Sequence, residues 1–284
     1  MTGRMEKIRT EIERIEMDLY GLAVMQGGEI EELKIKGCNA CNNSYSVTKA
    51  FIATAAGMLW ERGKLDLDEP VTDILKGYAP ADEKWRRVTT RHALGHVMGI
   101  GRGYLDIDVE DIYSYGTDDF LEVLFREPLK YEPGTQERYS DAAYYLVSRV
   151  VEETAGEPAD SFLMRELLLP MKVQEAAFSR CPRNHPIGAT GLYIRSRDMV
   201  KLGWLYVNGG MYEGKRLISE RWISEEEHGG LAFRSCGVDG LRGKGGMYGQ
   251  MLLFSRDKGF AAAWHSFTPD RRDEGLPGFI GGLF

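Results

Sequence analysis

The sequence predicts an α/β (α+β) fold in which an antiparallel sheet, flanked by helices, is joined to an all-α lobe. Three observations carry that expectation. Apolar runs pair as hairpins near both ends of the chain, a long apolar helix follows the first hairpin, and the middle third has helical spacing broken by prolines. Sheet, helical insert and sheet imply one unit over residues 1–284 with two lobes. The α/β lobe takes residues from about 1 to 63 and 185 to 284, and the helical lobe takes about 64 to 184.

In chain order, Met1 to Met17 alternates charged residues with Ile8, Ile12 and Ile15, the pattern of an amphipathic helix. Tyr20 to Met25 and Glu29 to Gly37 read as strands around a Gly27-Gly28 turn. Ala50 to Trp60 is apolar on nearly all sides, which predicts a helix in the middle of the molecule, ended near Gly63. Thr89 to Met98 reads as a helix with a threonine cap, and Asp141 to Ala155 as another closed by Gly156. The run Gly99 to Gly103 does not connect a strand to a helix, so it is a turn rather than a nucleotide loop. Gln250 to Phe254 and Phe260 to Trp264 flank Asp257-Lys258-Gly259 as a second hairpin.

A net charge of −7 with no strongly basic run disfavours nucleic-acid binding. No apolar stretch is long enough to span a bilayer, and the first segment lacks the apolar core of a secretion signal, so a cytoplasmic protein is expected. Cys38 and Cys41 form a C-x-x-C without the second pair that a structural zinc site needs. His92 and His96 lack the adjacent glutamate of a zinc-protease helix. Reduced, half-buried thiols and no metal or other cofactor are expected.

The chemistry starts at Ser46-Val47-Thr48-Lys49. With Ser46 in the first turn of the apolar helix, Lys49 lies on the same face three residues on. A serine hydroxyl attacks poorly until a neighbour takes its proton, and a helix N-terminus offers unpaired N–H groups to developing negative charge. Two further patterns join this one: Tyr139-Ser140-Asp141 after a Pro133-Gly134 turn, and Lys244-Gly245-Gly246 just before an apolar strand. Taken singly, each has a plain reading: a solvated lysine, a core-edge phenol, a loop cation between flexible glycines.

In this order the three patterns resemble those of serine hydrolases related to class C β-lactamases, penicillin-binding D-alanyl-D-alanine peptidases and their esterase cousins. Leu65 to Val71, Val88 to His96, Glu132-Pro133-Gly134, Gly191-Leu192-Tyr193 with Arg197-Asp198-Met199, and Asn208 to Arg216 are similar to other segments of that family. The likeness runs from about residue 18 to 265. It implies a β-lactamase/transpeptidase-like fold and a serine hydrolase that forms an acyl-Ser46 intermediate. It also implies that Lys49 holds the hydroxyl, that Tyr139 is the general base, and that the backbone N–H groups of Ser46 and Met247 form the oxyanion hole, worth roughly 3 kcal/mol per donor. Ammonium groups at Lys49 and Lys244 would favour the phenolate of Tyr139, whose ordinary pKa is about 10. His265 is a rival for the third motif, but it sits at the far end of the following strand.

Two positions depart from the family pattern. Asp141 stands where Asn is usual, and an ionised carboxylate accepts hydrogen bonds but cannot donate them; its charge is also placed to compete for Lys49. Gly245 replaces Thr or Ser, removing a hydroxyl that grips a substrate carboxylate. Both changes weaken the case for β-lactams and D-alanyl peptides and leave simple ester or amide cleavage intact. Gly246 and Met247 complete the substrate-binding set. The expected partner is a small ester or amide; a β-lactamase or D-alanyl-D-alanine carboxypeptidase and a catalytically weak ligand-binding sensor are the rivals, and the oligomeric state is left open. Thr268 to Phe284, with Pro269, Pro277 and four glycines, reads as coil, leaving the sheet to be covered otherwise or less stable at that edge.

Overall fold

The computed structural model describes residues 2–36, 41–103 and 105–284. Helix α1 (Gly3–Arg14) leads into the hairpin of β1 (Leu19–Gln26) and β2 (Glu29–Lys34), then strand β3 (Asn42–Asn43) and helix α2 (Thr48–Glu61). The middle carries α3 (Val71–Ile74), α4 (Thr90–Leu94), α5 (Phe120–Phe125), α6 (Asp141–Ala155) and α7 (Ala159–Leu163). Strands β4 (Ala176–Phe178) and β5 (Leu192–Ile194), helix α8 (Ser196–Val207), the hairpin β6 (Met211–Tyr212) and β7 (Lys215–Arg216), and helix α9 (Glu220–Gly229) follow. Last come β8 (Arg234–Ser235), β9 (Arg242–Gly245), β10 (Met251–Ser255), β11 (Phe260–Ser266) and α10 (Leu276–Gly281).

The main sheet is antiparallel, with strand order β2-β1-β11-β10-β9-β8, so its strands come from both parts of the chain expected to supply it. Side chains alternate across it with the period of two that a strand imposes. Leu22, Val24, Leu253, Phe260, Ala262 and Trp264 face one core with Met5, Ile8 and Ile12 of α1. Ala23, Met25, Leu252, Phe254, Ala261 and Ala263 face the larger core, which holds α2, α6 and α8. Both expected hairpins form, with Gly27 and Gly28 at φ 61° and 86° in the first turn. Helix α2 is buried from Thr48 to Leu59, which accounts for its apolar residues on every side.

Four features differ from the sequence reading. A small sheet, β3-β5-β4, places strand β4 inside the segment expected to be mainly helical. The helix expected to reach Met98 ends at Leu94, because His96 turns the chain with φ 58°. Ser46 lies in a 3-10 turn, Tyr45–Val47, just before α2 rather than in the α-helix itself. The Thr268 to Phe284 segment is not all coil: α10 covers the outer face of the sheet, burying Leu276 and Ile280. Pro277 falls in the first turn of α10, where its missing N–H costs no helical bond. Phe284 stacks on Phe260 with ring centroids 3.9 Å apart.

Among the described residues no helix is long and apolar enough to cross a membrane. Cys38 lies outside the described residues, so the C-x-x-C is seen only at Cys41, which is half-buried; Cys181 is a buried free thiol and Cys236 a half-buried one. His92 accepts a hydrogen bond from the Thr89 N–H through Nδ1, in a capping box at the start of α4.

Candidate active site

The turn that carries Ser46 is fixed from behind. Strand β3 pairs with β5, and the Asn43 side-chain oxygen accepts from the N–H groups of Tyr45 (2.8 Å) and Gly191 (3.2 Å). Thr48 Oγ1 accepts from the Leu192 N–H at 3.1 Å and lies 3.2 Å from Ser44 Oγ. Tyr45 takes φ 46°, an uncommon value for a side chain of this size, and so turns the chain sharply into Ser46.

Lys49 is fully buried on α2 and its ammonium group has three acceptors: Ser46 Oγ at 2.9 Å, Asp141 Oδ1 at 2.7 Å and the Ala189 carbonyl at 2.7 Å. An ammonium has three N–H donors, so none is left over. Asp141 opens α6 behind the Ser140 cap, and the packing of α6 on α2 delivers its carboxylate to Lys49. The expected competition of Asp141 for Lys49 therefore takes the form of sharing, since Lys49 reaches Ser46 and Asp141 at once.

The Tyr139 hydroxyl lies 2.6 Å from Ser46 Oγ, and the phenol is half exposed. Its ring sits between two cations, 4.9 Å from Lys49 Nζ and 5.1 Å from Lys244 Nζ. Its other neighbour is His96, with ring centroids 4.5 Å apart and planes 33° off parallel. His96 is buried, accepts from the Ser140 N–H through Nδ1 at 3.4 Å, and accepts from the Arg138 N–H through its carbonyl at 2.8 Å. Burial, with the charges of Lys244 and Lys49, pushes its pKa down to about 2, so it is a neutral platform under the phenol. In the sequence His96 stands out only by its spacing from His92 and as the end of the Val88 to His96 segment that resembles the family; its contact with Tyr139 depends on a fold that neither encodes.

Lys244 lies on β9, with Gly245 paired to Met251 of β10. Burial, then Lys49, then Arg234 lower its pKa to about 7. Gly246 runs so close to the nucleophile turn that an added Cβ would meet the Ser44 carbonyl at 2.5 Å. Met247 follows in a short turn, and a cavity of about 650 Å³ lined by Lys244, Gly245, Gly246 and Met247 opens between β9 and the segment around Thr268 and Pro277. His265, the rival third motif, is buried in β11 with Nδ1 2.8 Å from Ser196 Oγ, away from this cluster.

Ser46, Lys49, Tyr139, Asp141 and Lys244 thus meet in one place, with Gly245, Gly246 and Met247 along its edge. Two residues absent from the sequence reading stand beside them. One carboxylate oxygen each from Asp106, Asp108 and Asp141 all lie within 4.8 Å of one another. Burial and the charge of Asp141 raise the pKa of Asp106 and Asp108, partly offset at Asp108 by the Thr190 hydroxyl. Both sit in a polar loop whose acidic residues look like solvated surface, so no sequence signal marked them.

Comparison with known proteins shows the family and the fold. The β-lactamase family model matches residues 41–276, and the chain belongs to that family. Esterase EstB of Burkholderia gladioli is 32% identical over 146 residues, 47% of this chain and 37% of that protein. Penicillin-binding protein 4 of Amycolatopsis lactamdurans is 32% identical over 137 residues, 47% of this chain and 35% of that protein. The chain spans less than half the length of these relatives. Among solved structures, a penicillin-binding protein from Bacillus halodurans superposes with a TM-score of 0.79 at 18% identity, covering all of both chains. That likeness shows the β-lactamase/transpeptidase-like fold, and the family is one of hydrolases.

Proposed function

We propose that this protein is a serine hydrolase that cleaves a small ester or amide through an acyl-Ser46 intermediate. The observation that carries the reading is Ser46 Oγ held between Lys49 Nζ at 2.9 Å and the Tyr139 hydroxyl at 2.6 Å. All three Lys49 protons are committed, so the group placed to take the Ser46 proton is the Tyr139 oxygen, as phenolate. Lys49 Nζ and Lys244 Nζ lie 4.9 Å and 5.1 Å from the centre of its ring.

Ser46 Oγ attacks the substrate carbonyl as its proton passes to Tyr139. The oxyanion forms toward the N–H groups of Ser46 and Met247. Tyr139 then returns the proton to the departing alcohol or amine, and water repeats the sequence in reverse to free the acid and Ser46. The carboxylate of Asp141 and the missing hydroxyl at Gly245 favour plain esters and amides over β-lactams and D-alanyl peptides. A fluorophosphonate probe tests the reading. Ser46 is expected to be labelled, with labelling abolished in Ser46→Ala and slowed by roughly 10²-fold or more in Tyr139→Phe. An unlabelled, folded wild type overturns it.

A further inference from the structure

We propose that Tyr45, Tyr248 and Phe267 form a subsite for an aromatic ring on the acyl side of the substrate, so that esters and amides of arylalkanoic acids are preferred. The proposal deepens the acyl-Ser46 reading and rests on it. Each residue that would supply an oxyanion donor has an aromatic neighbour in the chain: Tyr45 precedes Ser46 and Tyr248 follows Met247. Both tyrosines take left-handed backbone, φ 46° and 63°, which side chains of this bulk rarely adopt and which persists only where the surroundings impose it. Their rings meet edge to face, with centroids 5.4 Å apart and planes at 84°. Phe267 extends the row, its centroid 4.9 Å from that of Tyr248.

Both ends of the row are anchored. Ser266 Oγ and the Thr268 N–H donate to the Tyr248 carbonyl, at 2.9 and 2.8 Å, so the residues on either side of Phe267 hold the backbone of Tyr248. The Phe267 N–H donates in turn to the Asp18 carbonyl at 2.9 Å. On the other flank, Asn43 fixes the Tyr45 N–H, and Tyr45 packs so near Gly246 that a Cβ there would lie 3.2 Å from its own. Yet Phe267 remains 47% exposed. A lone exposed phenyl means little, but one packed on the neighbour of an oxyanion donor offers an apolar face beside the reacting carbon. The 650 Å³ cavity, lined by Met247, Tyr248 and Thr268 among others, has room for a phenyl-bearing chain. Orientation gives the row to the acyl group. Tyr139 returns the proton to the leaving group, so that group must lie toward the phenol. Tyr139 is surrounded by His96, Lys49 and Lys244, and among the described residues none of these is in ring contact with the row. The remaining substituent of the carbonyl carbon is the acyl chain. Burial and the charge of Asp108 raise the pKa of Tyr45, so its phenol stays neutral and suits an uncharged ring. Aromatic pairs gain from such contact beyond the area they bury.

Ethyl esters test the subsite: 3-phenylpropanoate and 4-phenylbutanoate against propanoate and against their cyclohexyl twins, with 2-phenylethyl acetate against ethyl acetate for the leaving-group side. At least one phenyl acyl ester is expected to exceed ethyl propanoate by about tenfold in kcat/KM, and its cyclohexyl twin by about threefold. Phe267→Ala is expected to lower the phenyl-to-propanoate ratio by about threefold. If that variant does not fold, Phe267→Leu must lower the phenyl-to-cyclohexyl ratio by about twofold. Ratios near one for both phenyl acyl esters overturn the proposal, as do cyclohexyl twins that match them. A preference that survives in the folded variant overturns it too, as does an aromatic preference confined to 2-phenylethyl acetate. Failure of every ester is a failure of the acyl-Ser46 reading, and saturation-transfer NMR with 3-phenylpropan-1-ol then reads the subsite apart from chemistry. Transfer to its ring protons that Phe267→Ala loses supports the subsite. No transfer in the wild type, or equal transfer in the variant, overturns it.

Discussion

Lys49 and Asp141 are bound to each other as tightly by cost as by attraction. Both are buried, and the pair is stable because each charge answers the other while Ser46 and Ala189 take the remaining N–H bonds. Removing one partner strands the other without water. Lys49→Met is therefore expected to cost about 3–5 kcal/mol in urea unfolding, and Lys49→Met/Asp141→Leu to recover most of that loss. Equal losses in the two variants would remove the pair from this account. At this scale the sequence was informative where chemistry repeats a spacing. Ser46 and Lys49 are three apart across the turn that leads into α2, and Tyr139 and Lys244 each occupy a motif. Asp106, Asp108, Thr190 and His96 were not legible as site residues, because loop closure rather than spacing brings them together.

Strand β9 and the nucleophile turn approach each other across Gly246, where a methyl group would meet the Ser44 carbonyl at 2.5 Å. A backbone atom cannot swing aside as a side chain can, so the two elements must part. Gly246→Ala is expected to lower kcat/KM by about tenfold or more, because the Met247 N–H moves away from the oxyanion. The check is steady-state kinetics alongside a melting curve, and an unchanged kcat/KM would separate β9 from the chemistry. Helix α2, as one long apolar run, and helix α6, from its helical spacing and Gly156 stop, were readable in advance. Helix α10 was not, since Pro277 and four glycines give that segment little helical tendency. Its helix exists because Leu276 and Ile280 are buried against the sheet, a tertiary cause that no local window contains.

The molecule as a whole responds to pH through Lys244. An unfolded lysine keeps its proton up to about pH 10.4, whereas the folded protein releases this one near pH 7. Between those values the unfolded chain binds more protons, so this residue makes stability rise with pH across the window and fall as pH drops through 7. Lys244→Met is expected to raise the melting temperature by about 3 °C at pH 6, with the gain fading to nothing by pH 10. Calorimetry at several pH values decides it, and a gain that does not depend on pH would point to packing instead.

Strand β11 gives each core a different size of side chain: Phe260 and Trp264 to the outer face, Ala261 and Ala263 to the inner one. Gly203 of α8 comes within 3.0 Å of the Ala261 methyl even when given only a hypothetical Cβ. A one-residue slip would drive an indole or a phenyl into that gap, where nothing larger than a methyl fits. Mistranslated spacing in the hairpin is thus rejected by bulk alone, and a single inserted residue in β11 should yield insoluble chains rather than a shifted but soluble enzyme.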